Sequence, residues 1–293
     1  MEHPGELLLQ RRAGMTRPLG SARARAEIPP VAAAFLEARN MLVIGARDDR
    51  GRVWAGTLTG PEGFATTDGD RSIVVDALPD GPLAGLFGGE PRDIGVIAIE
   101  PATRRRMRVN GRARGDGHRL TITTDQVYSN CPKYIQRRVP PPVLGELPRR
   151  GPATTARTLT EAQRRWIAMA DTFFIATHVA GLGADTSHRG GAPGFVRVTG
   201  ERRLAWREYP GNFMFMTLGN LELAPACGLL FLDWEHGHGL HLTGRAAYDG
   251  GEVEFELDEV VEITAEIPSP WRFVEASPFN PPPLDTTGRP DRS

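Results

Sequence analysis

The sequence predicts a mainly β protein: two copies of a small β-barrel with peripheral helices. Three observations carry this. The stretch 40–117 recurs at 171–250, short β-branched and aromatic runs alternate with Gly, Pro and Asp turns, and only two helical segments stand out. In the repeat, Gly63-Phe64 matches Gly194-Phe195 at an offset of 131, as Ile73 matches Leu204 and Pro79 matches Pro210. After two inserted residues the offset is 133. Gly95-Val96-Ile97 then meets Gly228-Leu229-Leu230, and Gly111-Arg112-Ala113 meets Gly244-Arg245-Ala246. Self-similarity over such a length means one supersecondary unit used twice.

Taken in order, residues 1–30 read as a polar, Arg-dotted arm closed by Pro29-Pro30. Copy one is assigned to 31–139. It opens with a short helix at 31–38 and the apolar run Met41-Leu42-Val43-Ile44. Strands of about five residues are expected at 53–58, 63–67, 72–77, 94–100 and 106–110. Arg106-Met107-Arg108-Val109 alternates polar with apolar, as a strand with one wet face would. A helical turn is expected within 82–88. Pro140-Pro141-Pro142 and Pro148 mark 140–158 as a linker. Copy two, 159–276, opens on a helix that Thr160 caps, with Gln163 in capping-box position. Its strands are expected at 173–177, 194–198, 203–206, 227–232 and 240–244, with a last strand or edge at 252–267. The Pro-rich, polar stretch 277–293 is expected to be a disordered tail.

The chain of 293 residues has room for two ordinary domains. A formal net charge of -1 argues against nucleic acid as a partner. No run of apolar residues is long enough to span a bilayer, and no targeting layout opens the chain. Cys131 and Cys227 occupy non-equivalent positions in the two copies, so two reduced thiols in a cytoplasmic protein are expected. Lys133 is the only lysine.

Differences between the copies indicate where chemistry sits. Trp54-Ala55-Gly56-Thr57-Leu58 of copy one faces Asp185-Thr186-Ser187-His188-Arg189 of copy two, which Gly190-Gly191 follows. Hydroxyls, a guanidinium and backbone N–H groups beside glycines suit a phosphate monoester; a polar surface loop is the equal alternative. At the next loop Asn212, Thr217 and Asn220 add amide and hydroxyl groups where copy one is apolar or glycine. Copy one carries its own dense segment, Asn130-Cys131-Pro132-Lys133-Tyr134. In it Lys133 and Cys131 are the candidate reactive groups; a structural loop is the plainer reading.

At these residues the chain resembles the pyridoxamine 5'-phosphate oxidase-like family of FMN-binding split β-barrels. Asp185 through Phe195 is similar to the family's Ser-Pro-Arg-Gly-Asp-x-Pro-Gly-Phe stretch, with His188 in place of Pro and Gly191 in place of Asp. Gly211-Asn212, Leu218, Asn220, Pro225, Gly228-Leu229-Leu230-Phe231 and Gly244-Arg245-Ala246 follow in the family's order. Asn130-Cys131-Pro132-Lys133-Tyr134-Ile135 resembles one branch of it. His3-Pro4-Gly5-Glu6 with Gln10-Arg11 resembles the arm of relatives fused to a ferredoxin-reductase-like module. The family's phosphate-binding Arg-Lys pair has no counterpart after Tyr209, which argues against pyridoxamine phosphate as substrate.

The resemblance implies tandem split barrels forming an intrachain pseudo-dimer, with FMN in the groove between them. Thr186, Ser187, His188, Arg189, Asn212, Thr217, Asn220 and Arg245 of copy two would hold the cofactor. Asn130, Lys133 and Tyr134 of copy one would wall the ring, and Lys133 or Arg245 would supply charge near it. It implies an oxidoreductase acting on a small molecule, with a separate reductase or a nicotinamide cofactor as electron donor. A homodimer is left open, and no resident metal is expected. The second reading is a non-catalytic flavin-binding protein, or a barrel that holds haem through His178, His188, His236, His238 or His241.

Overall fold

The computed structural model describes residues 3–17, 25–141, 151–211 and 213–281. It is mainly β, as the sequence predicts. Copy one contributes β1 (Met41–Arg47), β2 (Val53–Thr59), β3 (Ala65–Thr67), β4 (Ser72–Val75), β5 (Arg92–Glu100), β6 (Arg105–Gly115) and β7 (Leu120–Ser129). These pair antiparallel in the order β2-β1-β5-β6-β7-β4-β3. Next come β8 (Arg137–Val139) and β9 (Thr154–Ala156). Copy two contributes β10 (Thr172–Val179), β11 (Gly183–Gly190), β12 (Val196–Gly200), β13 (Arg203–Arg207), β14 (Ala226–Leu232), β15 (Gly239–Tyr248) and β16 (Glu252–Ile263). Their order, β11-β10-β14-β15-β16-β13-β12, repeats the first sheet strand for strand. Even the irregularity recurs: the register shifts at Asn110/Gly111 in β6 and at Thr243/Gly244 in β15, 133 residues on. A final strand, β17 (Arg272–Glu275), pairs with β8 and ties the two halves together.

Four helices flank the sheets: α1 (Pro4–Arg12), α2 (Pro30–Glu37), α3 (Glu161–Met169) and α4 (Met216–Leu223). The expected cap is present. Thr160 Oγ1 accepts from Gln163 N while Gln163 Oε1 accepts from Thr160 N, the reciprocal capping box that satisfies two orphan donors. The helical turn near Pro82 is a single 3-10 turn, Gly81–Leu83.

Several segments differ from expectation. Part of the arm folds as α1, which buries Gly5, Glu6, Leu9 and Gln10. The strand β7 is additional to the expected set, although Leu120-Thr121-Ile122-Thr123 alternates and buries Leu120 and Ile122. Asp185–Arg189 is no surface loop but lies in β11, with Asp185 and Thr186 fully buried. Residues 216–223 form a helix rather than a loop. Part of the linker, β9, adds an edge strand beside β16; residues 142–150 lie outside the described residues. In the expected disordered tail, Ser277 is buried and its N–H donates to Gln136 Oε1. Residues 282–293 lie outside the described residues.

Each sheet folds around its own apolar cluster. Trp54, Leu58, Phe64, Val96 and Ile122 lie in the first, and Phe173, Trp206, Phe231 and Phe255 in the second. A third cluster joins the two across the seam: Val43, Val53, Ile97, Phe174, Leu230 and Trp234 among others. Two glycines in equivalent positions set the closeness of that seam. A Cβ on Gly95 would lie 2.5 Å from the Asp185 carbonyl carbon, and one on Gly228 would lie 2.6 Å from Trp54 Cα. Gly95 and Gly228 correspond at the offset 133, Trp54 and Asp185 at 131. Each copy therefore offers its glycine to the same strand of the other, the self-complementary pattern of a two-fold interface. No helix among the described residues is long and apolar enough to cross a membrane.

Gly95→Ala and Gly228→Ala should each destabilise the protein by about 1–3 kcal/mol through forced separation of the sheets. Gly89→Ala, whose new Cβ meets nothing within 4 Å, should stay within about 0.5 kcal/mol of wild type. Urea unfolding measures both, and equal midpoints for all three variants would refute the close-seam account.

Candidate functional site

The seam opens at one end into a cleft of about 390 Å³, within the size range of small-molecule sites. Its floor comes from β6 and β11, its rim from the segment 130–134 and from residues 207–211 and 213–218. Alternation along β6 explains the floor. Met107 and Val109 turn into the core of copy one, which sends Arg106, Arg108 and Asn110 to the opposite face. That face is not wet, as the sequence pattern suggests; it is pressed against β11.

On β11 the alternation divides the polar residues between two tasks. Asp185 forms an ion pair with Arg108, both side chains almost fully buried. Tyr128 Oη donates to Asp185 Oδ1 at 3.4 Å, and Thr217 Oγ1 donates to Asp185 Oδ2 at 2.9 Å. Because the Thr217 proton is committed to Asp185, Ser187 Oγ donates to Thr217 Oγ1 over 2.8 Å. Arg189 Nη1 donates to Ser187 Oγ at 2.7 Å, and Arg189 Nε to Glu208 Oε1 at 2.7 Å. The result is one polarised chain, Arg189 to Ser187 to Thr217 to Asp185, in which each bond strengthens the next. Thr186 and His188 turn to copy one: Thr186 Oγ1 donates to the Gly95 carbonyl at 2.9 Å, and His188 Nδ1 lies 2.9 Å from Arg106 Nη1.

Arg106 is the exceptional group. Arg108 has Asp185 and Arg189 has Glu208, but Arg106 has no carboxylate partner among the described residues. Its Nε is buried without a hydrogen-bond partner, as are Arg108 Nε and Asn130 Oδ1 beside the same cleft. Burial, with the Arg108 and Arg189 guanidiniums as neighbours, pulls the Arg106 pKa down to about 9. It therefore stays protonated at neutral pH, held by a neutral partner. Guanidinium only donates, so His188 Nδ1 must accept and Nε2 carries the ring proton. Burial first, then Arg106, Arg189 and Arg138, hold His188 well below the usual imidazole range.

The rim is apolar and strained. Tyr134, Phe213 and Phe215 all adopt left-handed backbone conformations, with φ of 67°, 59° and 58°. Such non-glycine outliers cluster at ligand sites because the surroundings must hold them. Tyr134 Oη donates to the Pro210 carbonyl at 3.0 Å, and its ring lies 5.2 Å from that of Tyr209. This contact closes copy one onto copy two over the cleft. Lys133 lines the cleft with its ammonium 5.6 Å from the Phe279 ring centroid.

Of the residues singled out from sequence, Asn130, Cys131, Lys133, Tyr134, Ser187, His188, Arg189 and Thr217 come together here. Ser187, Arg189 and Thr217 are already engaged with one another. The N–H of Gly191 goes to the Asp171 carbonyl at 3.0 Å rather than to a ligand. Thr186 lies behind the cleft at the seam. Asn220 faces away, bonded to His3 and Thr177. Arg245 is exposed on β15 and does not line the cleft. Asn212 lies outside the described residues. Cys227 is buried, its thiol pushed up by that burial. Arg106 and Arg108 escape the sequence reading. Their alternation is visible, but a strand's polar face is ordinarily taken for solvent.

The equivalent position on the other side of the pseudo-axis is filled. There Gly239 stands for Arg106, His241 for Arg108, Thr57 for His188 and Glu266 for Lys133. Glu266 turns inward, hydrogen-bonded by Thr57 and 3.6 Å from His241 Nε2, and all three are buried. The other candidate histidines lie elsewhere: His178 pairs with Asp93 at 2.9 Å, His236 is exposed beside Asp233, and His238 Nδ1 accepts from Ala265 N at 3.3 Å. No cluster of metal-ligating side chains occurs among the described residues.

The sequence matches no protein-family model and no curated protein. Among solved structures, the chain is similar to a histidine-to-alanine variant of tagged HupZ from Group A Streptococcus, with 13% identity and a TM-score of 0.29. That match covers 36% of this chain and 98% of the other. Tagged HupZ without the substitution gives 11% identity and a TM-score of 0.28, covering 35% and 93%. A conserved protein of unknown function, DIP1874 from Corynebacterium diphtheriae, gives 12% identity and a TM-score of 0.28, covering 39% and 98%.

Because His188 is neutral when folded but takes a proton when unfolded, acid favours unfolding. Stability should fall as pH drops below about 6.5, the unfolded imidazole value, and be fully present above it. A Tm series from pH 7.5 to 5 should show a shallower acid slope for His188→Gln. A slope identical to wild type would contradict the buried neutral imidazole.

Proposed function

We propose that the chain binds one FMN in this cleft and acts as an FMN-dependent oxidoreductase on a small molecule. The observation that carries the reading is Arg106: a protonated guanidinium with two like-charged neighbours and, among the described residues, no carboxylate partner. A phosphate monoester is the natural complement, since it accepts several charge-assisted hydrogen bonds at once. The orphaned Arg106 Nε and Asn130 Oδ1 favour a polar ligand at the floor. The rim of Tyr134, Phe195, Tyr209, Phe213, Phe215 and Met214 favours a flat aromatic one. The sequence resemblance to FMN-binding split barrels points the same way, and the matching strand orders support a pseudo-dimer built by internal duplication.

Roles follow from the geometry. Arg106 receives the phosphate, with Arg189 and the hydroxyl chain behind it setting a positive field that costs no reorganisation on binding. The grip is thus shared between the copies rather than belonging to copy two alone. Tyr134 and 213–216 exclude water from the upper part of the cleft. Lys133 lines the cleft and Arg245 does not, which supports Lys133 as the cation beside the ring. FMN when bound supplies hydride transfer at its N5 position. A nicotinamide cofactor or a separate reductase is the expected electron donor, distinguished by anaerobic titration of the loaded protein with NADH, NADPH or reduced deazaflavin. Haem is poorly supported. Among the described residues His188 is the one histidine that lines the cleft, and its Nδ1 lone pair is engaged by Arg106, so an imidazole ligand is not on offer there.

Heat-released flavin should amount to one FMN per chain, because Glu266 fills the equivalent position; a ratio near two would refute the asymmetry. Arg106→Ala should weaken FMN by roughly thirtyfold or more, about 2 kcal/mol, and Arg245→Ala should not. Riboflavin, lacking the phosphate, should bind wild type about as weakly as FMN binds Arg106→Ala and lose little more in that variant. Equal sensitivity of both ligands to the substitution would place the phosphate elsewhere.

A further inference from the structure

The N-terminal pattern His3-Pro4-Gly5-Glu6 with Gln10 has no place in the cleft lining, yet His3, Gly5, Glu6 and Gln10 are all buried. They are the face that α1 lays against α4, and α4 carries Met216, Thr217 and Leu218 of the cleft wall. The two helices meet backbone to backbone. A Cβ on Gly5 would collide with the Gly219 carbonyl, and one on Gly219 would lie 2.6 Å from Glu6 N. His3 serves both ends of the contact. Its Nδ1 accepts from Glu6 N at 3.2 Å, capping α1, so its Nε2 carries the proton and donates to Asn220 Oδ1 at 2.8 Å. Asn220 Nδ2 in turn donates to Thr177 Oγ1 at 2.8 Å, anchoring α4 to β10.

Farther along, Gln10 Nε2 donates to the Phe213 and Met214 carbonyls at 3.2 and 3.4 Å. These belong to the segment whose left-handed Phe213 and Phe215 form the rim. Glu6, fully buried, acts electrostatically on Arg108 and Tyr128 beneath the floor. One helix therefore touches the wall, the rim and the charge balance of the site without reaching the ligand.

We propose that residues 3–12 are a strap that sets the shape of the cleft, with His3 and Gln10 as positioning residues, and that strap docking and ligand binding are coupled. This rests on the reading of the cleft as an FMN site. Coupling between two binding events is reciprocal, so ligand must tighten the strap as much as the strap tightens ligand. The strap is also built to be displaced. It is a nine-residue helix, too short to persist alone in water, and it is held by one face.

The test compares wild type with Gly5→Leu, which blocks helix contact, Gln10→Ala, which frees the rim, and Leu8→Ala on the exposed face of α1. FMN affinity is read by quenching of flavin fluorescence, and amide hydrogen exchange is followed with and without FMN. Gly5→Leu and Gln10→Ala should each weaken FMN about tenfold with far-UV circular dichroism retained, while Leu8→Ala matches wild type. FMN should slow exchange over residues 6–12 of the wild-type protein. Wild-type affinity in both variants, or no change in exchange over 6–12 on adding FMN, overturns the proposal. Failure of the wild-type protein to bind FMN would instead remove the flavin reading. The strap is then judged on ligand-free protein alone: faster exchange over 216–223 in Gly5→Leu supports it, and unchanged exchange overturns it.

Discussion

The ion pair between Arg108 and Asp185 sits where the two sheets cross, and the rest of the site depends on it. Taking both charges out of water costs several kcal/mol per ion, recovered only when geometry and further hydrogen bonds are good. Here Thr217, Tyr128 and Asn110 complete the carboxylate. The pair therefore fixes the register of β6 against β11, which apolar packing alone would set only loosely. Farther along the same two strands, Arg106 Nη1 lies 2.9 Å from His188 Nδ1. A guanidinium beside a neutral imidazole, with every nearby carboxylate already used, is an incomplete arrangement. It is this incompleteness that supports the proposal of an anionic ligand in the cleft.

The two ends of the pseudo-axis show the same architecture used in opposite ways. At one end β6 presents arginines and the segment after β7 stays at the rim. At the other, β15 presents Gly239 and His241, and the segment after β16 folds in with Glu266. The chain's own carboxylate there meets a hydroxyl and an imidazole, so no outside anion is needed. A homodimer with identical halves would have to keep both ends alike. Joining the halves in one chain lets the two ends differ, and they do: Arg106 and Arg108 stand at one, Gly239 and His241 at the other. The contacts of β17 with β8, and of Gln136 with Ser277 and Asn280, add to the joint between the halves.

Much of this is legible in the sequence. The offsets of 131 and 133 correctly pair every strand of the first sheet that the pattern identifies with its partner in the second. Thr160 and Gln163 announce the capping box, and turn glycines and prolines bound the strands. Eight candidate residues from three separate segments do meet in one cleft. The departures share one cause. Asp185–Arg189, the polar face of β6 and the His3–Gln10 segment read as solvated because polar side chains ordinarily are. Each is in fact buried against another part of the chain, which satisfies most of its polar groups and leaves Arg106 Nε and Arg108 Nε without partners.

Local sequence determined which segments are strands and helices, where the unit repeats, and which residues carry donors and charge, since alternation, turn chemistry and capping act over a few residues. Tertiary structure alone decided which of those charges are spent on one another. Arg189 is neutralised by Glu208, Arg108 by Asp185, and Thr57 meets Glu266 across 209 positions of chain. Arg106, on the cleft floor, has no carboxylate partner among the described residues. Pairing between groups so far apart depends on the register of two sheets across a glycine-lined seam, and no local pattern encodes that distance.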